Sequence, residues 1–423
     1  MIFILFGNLA RSIAPTLSAF FETFLIVMML FLTILYLSES KVTFSNNELI
    51  YYSFVLYLIL HFIFASTARP IILDSSFYDL LLYNLMEFRL STLGYFLPFV
   101  FIPIFYKKID NFEKFVILLL KISIFYSLFE QVLSSVGFRS FFEYLYYKSG
   151  VVTENQIELK SLGMYRIWGL IGSPQVLGIF HVIGLIYLLD HKEKFWSLLC
   201  ILAIIVSTSK SAMLILIIYG FIYLLQKRYY LTFIFFIATI VAISIIMATL
   251  YAYIQDMNIQ DDYPRFGQFV GSIYGYFILL TSVAEESARG SAGGQFIKGG
   301  ALNEYYIYFL NNPMQLLAGK GITYSIFQVY PPLLVDYNYL SSDYYFLTFI
   351  DQYGLIGLLY ILYIFVFYPF IKLLSSDKLY YAVPIIFFLA MLHYPPNISK
   401  LFMIFMSYSL YKIYLKEKYT DEI

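Results

Sequence analysis

Apolar runs long enough to cross a bilayer recur along this whole sequence, and the connections between most of them are short and carry lysine. A helix spanning hydrocarbon needs about 20 apolar residues, because lipid offers nothing to hydrogen-bond an open backbone. The runs are Leu17–Leu37, Leu49–Ala68, Thr92–Tyr106, Phe112–Leu133, Val176–Leu189, Phe195–Thr208, Ala212–Leu225, Leu231–Ile254, Tyr344–Ile371, Leu379–Tyr394 and Ile398–Leu415. The first is too long for a cleavable signal sequence and lacks a small-residue cleavage site. Together they make about eleven spans, with about ten to thirteen as the range. The predicted fold class is therefore all-α, a polytopic integral membrane protein. Residues 1–423 read as a single membrane domain without internal repeats.

Composition excludes the soluble classes. The chain is 61% hydrophobic and 13% charged, against about 25% charged in a soluble domain. Its formal net charge is zero, so nucleic acid is not an expected partner. Cys200 is the single cysteine. It sits in an apolar run and reads as a small core residue rather than a nucleophile.

Orientation follows from basic residues in short connections. Lys107, Lys108 and Lys114 form one cluster. Lys192 with Lys194, Lys227 with Arg228, Lys372 with Lys378, and Lys412 with Lys416 and Lys418 form the others. Assigning all five to the cytoplasm gives a consistent alternation. The opposite face then receives two long loops, residues 134–175 and 255–343. Within the second, Phe266–Ala284 is apolar and contains a Gly271–Gly275 small-residue spacing that lets helices approach. If it crossed fully, the lysine-rich tail would move outside, so it is predicted to be interfacial or re-entrant.

The familiar motifs of soluble enzymes are missing. The sequence has no phosphate-binding P-loop, no His/Cys metal cluster and no Gly-x-Ser-x-Gly. Of the four histidines, His61 and His181 fall inside helices, His191 in a cytoplasmic turn and His393 at an outer helix end. Asp261 and Asp262 read as a solvated pair rather than a metal site. What remains is arginines, carboxylates and turn residues. Arg166 precedes Trp168, Gly169, Gly172, Ser173, Pro174, Gln175 and Gly178. Arg289 stands among Gly290, Gly293 and Gly294, with Glu304 further along. Lys210 lies in a tight Ser209–Ser211 turn, and Lys320 follows Leu317-Ala-Gly319. Asp343 opens a span, and Asp351 lies about two helical turns deeper, where a carboxylate normally faces a polar partner. Guanidinium offers phosphate a planar fork of donors and keeps its charge. A loop-to-helix junction touching lipid head groups is the plainer alternative for Arg166.

In this order the features resemble the O-antigen polymerase and O-antigen ligase superfamily. Arg166, Gly169, Ser173, Pro174, Gln175 and Gly178 match its Arg-x-x-Gly and helix-start motif. Ser209-Lys210-Ser211 matches its next helix entry, and Arg289 its outer-loop arginine. Pro313, Leu317, Gly319, Gly321 and Ile322 match a glycine turn, and Asp343 with Gly354–Gly357 the last helix entry. The resemblance covers about Arg166 to Leu373 and rests on order and loop size.

Such a resemblance implies a helical bundle similar to the GT-C-like glycosyltransferases of lipid-linked sugars. It implies transfer of a glycan from undecaprenyl diphosphate at the outer face of the cytoplasmic (inner) membrane, with no cofactor and no metal. The implied partners are undecaprenyl-diphosphate-linked oligosaccharide, membrane lipid and a chain-length regulator protein. On this footing Arg166 and Arg289 hold the diphosphate, with Lys210 or Lys320 in support. Asp343 or Glu304 serves as base or sugar ligand, and Gln175, Trp168 and Asp351 line the substrate. The ligases carry a histidine in the large outer loop, where this chain has Asp343 and no histidine, so polymerase is favoured. A carrier of lipid-linked oligosaccharide is the alternative from another class, set back by the long outer loop and the lack of repeats.

Overall fold

The computed structural model describes residues 31, 46–73, 95, 97–148, 160–161, 164–227, 229, 234, 307, 309–311, 313–319, 345–376, 378–391 and 400–415. Apart from one pair of two-residue strands, these residues form helices and turns. The elements are α1 (Asn46–Leu73), α2 (Leu97–Leu133) and α3 (Arg139–Lys148). A short antiparallel pair follows, β1 (Lys160–Ser161) with β2 (Met164–Tyr165). Then come α4 (Pro174–Asp190), α5 (Lys194–Val206), α6 (Lys210–Gln226) and the short α7 (Pro313–Ala318). The C-terminal part holds α8 (Tyr345–Ile361), α9 (Tyr368–Ser375), α10 (Ala382–Met391) and α11 (Lys400–Leu410). The predicted spans Leu17–Leu37 and Leu231–Ile254 lie outside the described residues but for Phe31 and Ile234, as does all of Phe266–Ala284.

Among the described residues, two helical stretches are long and apolar enough to cross a membrane, Glu113–Leu145 and Gln352–Ser375, and five shorter apolar helices accompany them. The first is built inside out. Ser123, Ser127, Glu130 and Ser134 recur at helical spacing and are buried, whereas Phe125, Phe129, Val132 and Val136 recur at the same spacing and are exposed. A helix on a water-soluble protein turns its polar face outward. Polar groups inward and phenyl rings outward suit a hydrocarbon surround.

The chain divides into two compact units. The first comprises Met1–Ile122, Val182–Ser197 and Asn312–Ile423, and the second Ser123–His181 and Leu198–Asn311. The first unit has an aromatic core. Tyr51 stacks on Tyr414, Tyr414 on Tyr368, and Phe365 on Phe387. Its tyrosine hydroxyls meet backbone carbonyls: Tyr51 donates to Tyr95 at 2.6 Å, and Tyr414 to Ile364 at 2.7 Å. Ile364 lies in a π-helical turn, Leu362–Phe367, where the regular ladder is interrupted and a carbonyl is released.

Three sequence expectations are revised. Lys107–Lys114 was predicted to be a connection, yet α2 runs through it without interruption. Residues 104–133 hold no glycine or proline, and charge alone does not stop a helix. At 37 residues, α2 measures about 55 Å. The helix also passes Leu133 into a π-helical turn, Ser134–Phe138, where Gly137 (φ 100°) kinks it into α3. Finally, the predicted single span Tyr344–Ile371 is broken at Gly354 (φ 67°). Asp351 lies within α8, three residues before this break.

Several connections assigned to one face by their lysines meet in the first unit. Glu113 of α2 bonds both Lys412 and Tyr408 near the C-terminus. His191, in the α4–α5 turn, lies 3.4 Å from the other Glu113 oxygen. Asp190 accepts the Leu379 N–H at 3.1 Å. Lys121 pairs with Glu193 at 2.9 Å.

Candidate functional site

The hairpin β1–β2 delivers the chain to Arg166, and a tight turn then leads into α4. The turn closes through the Gly172 N–H to the Trp168 carbonyl at 2.9 Å. The Ser173 carbonyl accepts the first helical bond, from Leu177 at 2.8 Å. That makes Ser173 the cap and Pro174 the first helical residue, where a missing N–H does no harm. The helix start read from Ser173-Pro174-Gln175 is thus present, with Gln175 half-buried at its second position.

Two residues that the sequence did not single out hold this turn. Glu130, fully buried on α2, accepts the Trp168 N–H at 3.0 Å with one oxygen and the Gly169 N–H at 2.8 Å with the other. Arg139, at the start of α3, donates through Nη1 to the Arg166 carbonyl at 3.1 Å and through Nε to Glu143 at 3.0 Å. Its guanidinium lies 3.9 Å from the centre of the Trp168 ring and 5.2 Å from that of Tyr165. A glutamate inside an apolar helix is the signal that could have found Glu130. Arg139 had no such signal, being one basic residue among several in the predicted loop 134–175.

Arg166 itself is 8% exposed and Trp168 2%. With Arg139 over its ring, Trp168 forms a wall of the turn. An anion reaching Arg166 would meet it largely out of water, where charge–charge attraction is stronger.

The next helix entry packs against the same region. Ser209 caps α6, its Oγ accepting the Ala212 N–H at 3.2 Å. Gly178, one turn into α4, faces this cap so closely that an added Cβ would lie 2.6 Å from the Ala212 Cβ and 2.7 Å from the Ser207 Oγ. Glycine there is a condition of contact. The starts of α4 and α6, two separate motifs in the sequence, are therefore adjacent, and helix N-termini attract anions. Lys210 is the first residue of α6 and is described in backbone only.

The other two motif pieces also meet, in the first unit. Gly319 (φ 78°), just after α7, and Gly354 (φ 67°), in the break of α8, lie back to back. A Cβ on Gly354 would sit 2.3 Å from the Leu317 carbonyl oxygen, and one on Gly319 2.3 Å from that of Gln352. Tyr57 of α1 donates to the Tyr353 carbonyl beside the break at 2.6 Å. Asp351 is described in backbone only, and Arg289, Glu304, Lys320 and Asp343 lie outside the described residues.

His181 and Cys200 behave as core residues. The Cys200 thiol donates to the His181 carbonyl at 3.1 Å, and His181 Nε2 is 3.2 Å from the Ser123 hydroxyl. Among the described residues no group of three or more His, Cys, Asp or Glu is placed to hold a metal ion. No protein family, curated protein or solved structure matches this chain.

Proposed function

We propose that this chain is a membrane glycosyltransferase of the polymerase type. It moves a growing O-antigen or capsular glycan from undecaprenyl diphosphate onto the sugar of another lipid-linked repeat unit, at the outer face of the cytoplasmic (inner) membrane, which it crosses in about eleven spans. One observation supports this above the others. The Arg166 turn and the starts of α4 and α6 are neighbours, with Gly178 packed on the Ser207–Ala212 turn. An arginine in the turn that leads into one of two adjacent helix N-termini is suited to an anion such as a diphosphate leaving group.

Transfer needs the diphosphate to gain charge as the glycosidic bond breaks, and fixed cations stabilise that charge. Arg166 and Arg289 take this role, with Lys210 and Lys320 in support. The acceptor hydroxyl loses its proton to a base, for which Asp343 and Glu304 are the candidates. Gln175 and Asp351 contact the glycan or its phosphate.

The test is polymerisation of lipid-linked repeat units by the purified protein in vesicles. Arg166→Lys and Arg289→Lys should each lower kcat about a hundredfold or more, since a point charge cannot reproduce a bidentate fork. Full activity in both variants sinks the assignment. Deleting the gene should leave surface glycans one repeat unit long. Accumulation of unattached lipid-linked polymer would instead identify a ligase.

A further inference from the structure

Glu130 is an ionisable residue buried in the last turn of α2, within an apolar stretch, a placement that costs stability unless something there uses it. Its two oxygens accept the N–H groups of consecutive residues, Trp168 and Gly169, at 3.0 and 2.8 Å. Successive N–H groups directed at one point form a nest that fits a single anion. Here the protein supplies that anion from its own helix. In the same turn, Arg139 holds the Arg166 carbonyl at 3.1 Å and covers the Trp168 ring. The backbone from Arg166 to Gly169 is thus held at both ends.

We infer that Glu130 is a positioning residue, which fixes the turn carrying Arg166 so that the guanidinium meets a substrate phosphate in one orientation. It acts through Arg166 and does not touch substrate. This role rests on the glycan-polymerase reading for its effect on activity, but not for its effect on the turn, and one experiment separates the two.

The chain has two tryptophans, Trp168 and Trp196, so Trp196→Phe leaves Trp168 as the sole indole reporter. In that background Glu130→Gln replaces one acceptor by an amide NH2 facing an N–H. In detergent, Trp168 emission should move to longer wavelength and become accessible to acrylamide. In vesicles supplied with lipid-linked repeat units, kcat/KM should fall about tenfold to a hundredfold, with KM carrying the change rather than the amount of active protein. Glu130→Asp, too short to reach both amides, should lie between. If Glu130→Gln does not fold, hydrogen exchange on the unaltered chain decides. Slow exchange at the Trp168 and Gly169 amides supports the role, and exchange as fast as in an open turn overturns it. Unchanged emission and unchanged KM in a folded Glu130→Gln also overturn it. A Trp168 shift without any polymerisation by the wild type sinks the polymerase reading and leaves Glu130 as the residue that fixes the turn.

Discussion

Arg166 and Arg139 have the same side chain and opposite work. Arg166 was visible in the sequence because Gly169, Gly172, Ser173 and Pro174 mark a turn into a helix, and such turns present backbone and side chains to ligands. Arg139 was not visible, because its partners are a carbonyl from residue 166 and a ring from residue 168, neither within reach along the chain. Arg139→Lys should lower thermal stability in detergent by about 1–3 kcal/mol, since lysine lacks both the second donor and the flat face. Trp168 emission during heating reads this directly. Unaltered melting would mean that the stacking and the Arg166 carbonyl bond contribute little.

At the scale of elements, glycine was legible as punctuation but its partners were not. Gly319 was read in a glycine turn and Gly354 in a helix entry, and each proves to be the surface on which the other rests. Gly354→Ala and Gly319→Ala combine a positive φ with a clash against backbone that cannot rotate away. Each should destabilise by about 2–4 kcal/mol, and the double variant by less than the sum because the two share one contact. Tyr57→Phe, which removes only the hydroxyl held by the Tyr353 carbonyl, should lower stability by about 1–2 kcal/mol. Thermal unfolding in detergent measures all four. Helix lengths were legible where an apolar run ended at a glycine or a capping serine. They failed at Lys107–Lys114, where charge was mistaken for a break.

For the whole molecule, the lysine count along the sequence set the α4–α5 turn, the segment before Leu379 and the C-terminal segment on one face, and in the first unit Glu113, His191, Lys412 and the Asp190–Leu379 contact join residues of these segments to α2 and to one another. What it could not supply was their pairing. Lys412 is largely buried against Glu113, so Lys412→Met should cost about 1–3 kcal/mol by leaving Glu113 with only Tyr408 and His191, and adding Glu113→Gln should recover part of it. The hydrogen bond to Glu113, aided by Asp190 and the Tyr187 carbonyl and opposed by partial burial, holds His191 above its ordinary pKa of 6.5. With a raised folded value, its contribution is complete below about pH 6.5 and fades as pH rises through the folded pKa. Melting temperature should therefore fall over that interval, and His191→Gln should flatten the profile. Tyr and Phe number 43 and 44 here, and the genetic code separates them by a single base. Drift between them is easy wherever the ring alone matters. At Tyr51, Tyr57 and Tyr414 one oxygen atom closes a gap in the main chain, so those codons should resist a change that their neighbours tolerate.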